Sequence, residues 1–182
     1  PGAAQFVIGA FISRIGGAMF GVAVIVMIST RRDSYALAGA VSAVGVLVLA
    51  IAAPVLGRLI DKHGQRRVAL PATLLTSAAL FVTVWASWAG WPVWVLFVAY
   101  GCSAMLPEVG PMSRARWSHL LRDDPDRLHT AYSLEQVLEE LAFVIGPVLG
   151  VLAATMLFPE AGLILAELLF LSGALVFLAA RA

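Results

Sequence analysis

The chain has 182 residues, 61% of them apolar even before its 16 glycines are counted, and only 13% are charged. Soluble domains sit near 45–50% apolar with glycine included and near 25% charged, so a mean hydropathy of +0.93 makes lipid the solvent for most of this chain. One cysteine, a formal net charge of +1 and no basic block longer than two residues exclude a disulfide scaffold and a nucleic-acid binder.

A spanning helix needs about 20 apolar residues, because each adds ~1.5 Å to a path of ~30 Å. Six runs qualify: 6–29, 35–60, 68–89, 92–117, 131–157 and 161–180. Open sheets cannot cross hydrocarbon with unpaired backbone, and the runs are too long for barrel strands. The predicted fold class is therefore all-α: a polytopic membrane protein whose residues 1–182 form one bundle of six transmembrane helices. The turns are short except for 118–130. Span 1 lacks the basic leader of a signal peptide. Because the chain opens on Pro1, it is expected to begin inside a longer product or to have been trimmed.

Basic residues orient the bundle. Arg58, Lys62, Arg66, Arg67, Arg114, Arg116, Arg122, Arg127 and Arg181 fall on one side, against Arg31 and Arg32 on the other, with Arg14 inside span 1. Nine against two predicts cytoplasmic termini and a multi-pass protein of the cell membrane. Trp85, Trp88, Trp91 and Trp94 gather at the outer ends of spans 3 and 4 as an interfacial belt.

An echo runs through the chain. Pro54-Val55-Leu56-Gly57 in span 2 returns as Pro147-Val148-Leu149-Gly150 in span 5, 93 residues later. Three spans followed by three related spans of opposite direction make a 3+3 inverted repeat, a transporter signature. Chance matching of common residues remains the alternative.

The turn between spans 2 and 3 carries the most specific pattern. It reads Gly57-Arg58-Leu59-Ile60-Asp61-Lys62-His63-Gly64-Gln65-Arg66-Arg67. Gly57 permits close helix approach, Gly64 a left-handed turn, and Asp61 a fixed charge at a helix end, while the basic residues set orientation. This turn resembles the signature loop of the major facilitator superfamily at every defined position: Gly57, Asp61, Lys62, Gly64, Arg66 and Arg67. The resemblance implies half of a major facilitator fold, with the loop acting as a gate between two halves and Asp61 pairing with Arg114 or Arg116 at the end of span 4. In span 5, Gly146, Pro147 and Gly150 resemble part of the family's antiporter motif, but Ser133, Ala142 and Val151 stand where glycines are expected. A bacterial efflux-like branch is implied, while the half-matched motif leaves import and export both open. A proline bend with small packing residues explains the same positions.

Ionisable groups at membrane depth usually face a cavity and have partners. Arg14, Glu108 and Glu139 each lie about 12 Å from the cytoplasmic boundary at ~1.5 Å per residue. Arg14 is expected to pair with Glu108 or Glu139, one carboxylate exchanging a proton as the cavity opens and closes; a permanent structural ion pair is the alternative. Glu135, one turn below Glu139, extends the cluster or, by default, meets water at the mouth. Glu140 points to another helix, and Glu167 in span 6 is expected to make a local hydrogen bond. Gly101, Pro107, Gly110 and Pro111 make span 4 bendable.

No enzyme constellation is present: His63, His119 and His129 fall in turns without metal-ligand spacing, and Cys102 stands alone. No cofactor or metal is expected. The expected function is secondary active transport of a small solute by alternating access, coupled to protons. The expected partners are that solute, protons, the lipid bilayer, and a second six-span half or a second copy. A half-size or truncated subunit with a structural or regulatory role is the competing reading. Gln5, Ser13, Ser103, Ser133 and Gln136 are too generic to define the solute.

Overall fold

The computed structural model describes residues 2–180; Pro1 and the carboxy-terminal Arg181 and Ala182 lie outside the described residues, and with them Arg181's place in the charge count. The described residues form seven α-helices and no strand: α1 (Gly2–Arg32), α2 (Tyr35–His63), α3 (Gln65–Trp88), α4 (Val93–Ser103), α5 (Val109–Leu120), α6 (Pro125–Met156) and α7 (Ala161–Ala179). Five of these, α1, α2, α3, α6 and α7, are long and apolar enough to cross a membrane.

Local chemistry sets the boundaries. Ser34 caps α2, its hydroxyl accepting from the Leu37 amide at 3.1 Å. Gly64 separates α2 from α3 with a φ of 91°, a conformation that favours glycine. Asp124 caps α6, accepting from the Arg127 amide at 3.1 Å, and Pro125 occupies the first helical position, where its missing N–H costs nothing. The long polar link expected over 118–130 is therefore mostly helix, and only residues 121–124 connect α5 to α6.

Span 4 departs from expectation. The run 92–117 is not one helix but two, broken over residues 104–108. Pro107 and Pro111 lack the amides that would bond the carbonyls of residues 103 and 107, so a continuous helix would lose two successive links. Pro111 is tolerated as the third residue of α5, where an amide has no intrahelical partner. The Thr76 hydroxyl donates to the Met105 carbonyl at 3.3 Å and fastens the break to α3. Pro54, Pro71 and Pro147, in contrast, stay inside their helices.

Packing centres on α1. A Cβ added at Gly9 or Gly16 would strike the backbone of α7, one at Gly173 would strike the backbone of α1 at Ser13, and one at Gly146 on α6 would meet the Ile15 carbonyl at 2.9 Å. Two helices thus reach α1 at backbone distance through small residues, as membrane helices do where dispersion and fit replace the hydrophobic effect. Phe20, Val24, Met27 and Ile28 join Leu80, Leu96 and Phe170 in one core. Phe6, Met112 and Phe177 centre a second core near Gly64. The rest of the apolar surface is outside: Val46, Leu47 and Ile51 on α2, and Phe143, Val144 and Val148 on α6, are more than half exposed. Apolar faces of that extent belong against hydrocarbon or another bundle.

Candidate functional site

A cavity of about 370 Å³ opens where the span-4 break faces α1 and α6. Ser13, Arg14 and Gly17 of α1, Leu49 of α2, the segment Leu106–Pro111, Arg114 of α5, Glu139, Ala142 and Phe143 of α6, and Phe170 of α7 line it.

The charges form two rungs between α6 and its neighbours. In the inner rung the Arg14 guanidinium pairs with Glu135 and also reaches its backbone carbonyl at 3.4 Å. Glu135 is fully buried, and its other oxygen accepts from the Ser113 hydroxyl at 2.7 Å and the Trp117 indole N–H at 3.0 Å. Ser113 and Trp117 are one turn apart on α5, which lets both aim at one carboxylate. In the outer rung Arg114 donates to Glu139 at 2.9 Å, with the two side chains 44% and 34% exposed.

These pairings correct the expectation. Arg14 pairs with neither Glu108 nor Glu139, and Glu135 is the core of the cluster instead of a water-facing group at its mouth. The edge of an apolar run is not the start of its helix: α6 begins six residues before its run, at Pro125. Counted from true helix starts, Glu135 and Glu139 straddle the level of Arg14, and the two α5 donors select Glu135. Glu108 precedes the first residue of α5, exposed, with no side-chain capping bond and no ion pair among the described residues. It lines the cavity and also a smaller one, about 140 Å³, that contains Asp61 and Gln65.

The gating loop is arranged differently from the resemblance. Asp61, Lys62, Arg66 and Arg67 are exposed, and Asp61 has no ion pair among the described residues. Arg114 is engaged by Glu139, with Gln136 at 3.5 Å. Arg116 turns away from Asp61: Nε donates to Gln65 Oε1 at 2.9 Å, while Nη1 donates to the carbonyls of Phe177 at 2.9 Å and Ala180 at 3.4 Å. The guanidinium lies 4.0 Å from the centre of the Phe177 ring. The carbonyls at the end of α7, at the negative end of its dipole, and an aromatic face draw a cation more strongly than a solvated aspartate does. Gln65 completes the joint by donating to the Met112 carbonyl at 3.1 Å. It occupies an undefined position of the loop pattern, so no motif signals it.

Two remaining expectations change in kind. Glu140 reaches no other helix; it accepts from Gln136 at 2.9 Å on the exposed face of α6. Glu167 makes no local hydrogen bond: it is 1% exposed and both oxygens lack a partner among the described residues. Gly146 and Gly150 lie against Ala18 and Met19 of α1, so their small size serves helix packing. At the opposite end of the bundle Arg31 grips Glu160 through bonds of 2.6 and 3.0 Å, and Arg32 donates to the Trp91 carbonyl at 2.6 Å. Neither contact has a signal in the turn sequences.

Residues 6–182 match the model of the Major Facilitator Superfamily. The chain belongs to the Major Facilitator Superfamily. No curated protein matches it. Members of the superfamily are membrane transporters of small molecules, which agrees with five membrane-length apolar helices here. In this major facilitator chain, the cavity at the break combines apolar walls with Glu108, which has no ion pair among the described residues, and an Arg114–Glu139 pair partly open to water. Arg14 and Glu135 hold the wall behind it.

Proposed function

We propose that this chain is one half of a proton-coupled carrier that moves a small solute by alternating access, with the cavity at the span-4 break as its part of the transport path. The six spans form two inverted triplets in one bundle over residues 1–182. A second six-helix half, or a second copy, closes the cavity over the exposed faces of α2 and α6. The nine-to-two imbalance of basic residues supports placing the Gly64 end in the cytoplasm, in the cell membrane, and the partial motif at Gly146, Pro147 and Gly150 supports export. Asp61 and the basic residues of its loop act as a gate toward the second half.

The observation that carries the reading is the contrast between the two rungs. Glu135, fully buried, has a half-buried cation and two neutral donors and is tied into the wall by all three. Glu139 has one arginine and water access, so its pair can separate when the cavity changes shape, and a carboxylate that gains and loses an arginine gains and loses a proton. Proton exchange therefore belongs to Glu139, with Glu108 as the second candidate beside it. Solute flux driven by a pH gradient, measured in proteoliposomes of the intact protein, tests this assignment. Glu139→Gln is expected to abolish the dependence on pH while leaving folding intact. Unchanged pH dependence in both Glu139→Gln and Glu108→Gln would remove proton coupling from this site.

A further inference from the structure

The face that α3 presents inward is unusual for a helix at membrane depth. Thr73, Thr76, Ser77, Thr83 and Ser87 are all buried on it. Thr76 is bonded to Met105 and Thr83 to the carbonyl one turn back, at 3.0 Å. The hydroxyls of Thr73 and Ser77, one turn apart, have no partner among the described residues. Opposite Ser77, from α7, stands the Glu167 carboxyl, buried and with both oxygens equally unpartnered.

Among the described residues no charge compensates it. The helices packed along α7 are α1, α3 and α6, and α5 reaches only its end, where Arg116 is held by the Phe177 and Ala180 carbonyls. On α1, Arg14 is held by Glu135, Arg31 by Glu160, and Arg32 by backbone carbonyls. On α6, Glu135, Glu139 and Glu140 are engaged as described, and Asp126 and Arg127 are exposed at its first turn. On α3, Arg66 and Arg67 are exposed at the Gly64 end. Nor does Glu167 touch the cavity. Glu135 is the internal comparison: the same side chain, equally buried, but supplied with an arginine, a serine and an indole N–H. A carboxylate without such donors cannot be kept ionised away from water; a carboxylic acid needs only one acceptor for its proton.

We infer that Glu167 is a proton-binding site separate from the cavity, an acid that shares its proton with Ser77 Oγ in the seam between α3 and α7. Ser77 Oγ accepts that hydrogen bond and keeps its own proton, and its hydroxyl is free to turn toward the carbonyl one turn back on α3, the usual habit of serine inside a helix. The chain of donors and acceptors closes without a cation. Losing the proton would oblige the carboxylate to leave the seam or admit water, so proton occupancy and the contact between α3 and α7 are linked. This site does not depend on the transport reading: it stands if no solute is moved.

Infrared difference spectroscopy on the intact protein in lipid nanodiscs tests it, reading the carbonyl stretch of protonated carboxyl groups. At neutral pH a band is expected that Glu167→Gln removes and Glu139→Gln leaves in place. Ser77→Ala should keep the band but move it to higher frequency, because the acid loses its acceptor; this variant keeps the test decisive if Glu167→Gln folds poorly. A spectrum that Glu167→Gln leaves unchanged from acid to alkaline pH overturns the site. A band that ignores Ser77→Ala overturns the shared proton.

Discussion

The Arg14–Glu135 pair invites a double-mutant cycle, because its surroundings fix both the sign and the size of each step. Arg14→Leu leaves Glu135 buried with its two neutral donors but no countercharge. Removing one partner of a buried pair costs about 3–5 kcal/mol. Glu135→Leu abandons Arg14 in the same way and also strips Ser113 and Trp117 of their acceptor, adding about 1–3 kcal/mol for neutral donors left dry. The double variant removes both charges, so only the smaller neutral cost remains, and it should be more stable than either single variant. Thermal unfolding of the intact protein in detergent, followed by tryptophan fluorescence, reads the cycle. Each single variant should lower the midpoint by on the order of 10 °C, and the double variant should recover most of that loss. Additive losses, or a harmless Arg14→Leu, would refute the pair as a buried clamp across α1, α5 and α6.

Three further outcomes follow from the packing and the joints. Gly16→Val should prevent folding or cost at least about 3 kcal/mol, since its Cβ has no room against α7, while Gly17→Ala, with nothing within 4 Å of the new methyl, should be neutral or slightly stabilising; yields and unfolding midpoints compare the two. Replacing Pro107 and Pro111 together by alanine should restore two amide links and let α4 run into α5, which hydrogen exchange across residues 104–108 would show as new protection, with solute flux falling as the cavity wall straightens. Arg116→Lys keeps the charge but loses the planar fork that reaches Gln65 and the α7 carbonyls at once, so faster amide exchange at the end of α7 is expected at a stability cost of about 1–2 kcal/mol.

Hydropathy made the helices legible because hydrocarbon leaves the backbone no alternative, and the five long helices cover their predicted runs with ends displaced by a few residues. The break in span 4 was half legible. Two prolines and two glycines mark it, but apolar side chains continue through residues 104–107, and a hydropathy run cannot register a lost backbone link. Partners were legible least. Choosing Glu135 for Arg14 requires knowing that α6 starts at the Asp124-Pro125 cap and that Ser113 and Trp117 face it from a helix whose rotation the break resets. The joint at Gln65 and Arg116 has no sequence signal, because it depends on where α7 ends.

The two ways α1 is held constrain how this half can move. On one side, Gly9 and Gly16 seat α7 at backbone contact, and Gly146 brings α6 in beside it. On the other, Arg14 ties α1 to α5 and α6 through a carboxylate with no exposed surface. Interfaces packed at backbone distance do not deform gradually, because any separation forfeits many contacts at once. Sliding α1 along α7 would drive a glycine-matched surface onto side chains that have no room. Two freedoms remain: displacement of the whole bundle as a body, and bending at residues 104–108, where backbone links are already missing. The second has a lever attached, since Arg114 leads from the α5 side of that break to Glu139 across the cavity. A change in the Arg114–Glu139 pair can therefore be felt at the break while the buried Arg14–Glu135 rung holds the middle of α5 in place through Ser113 and Trp117.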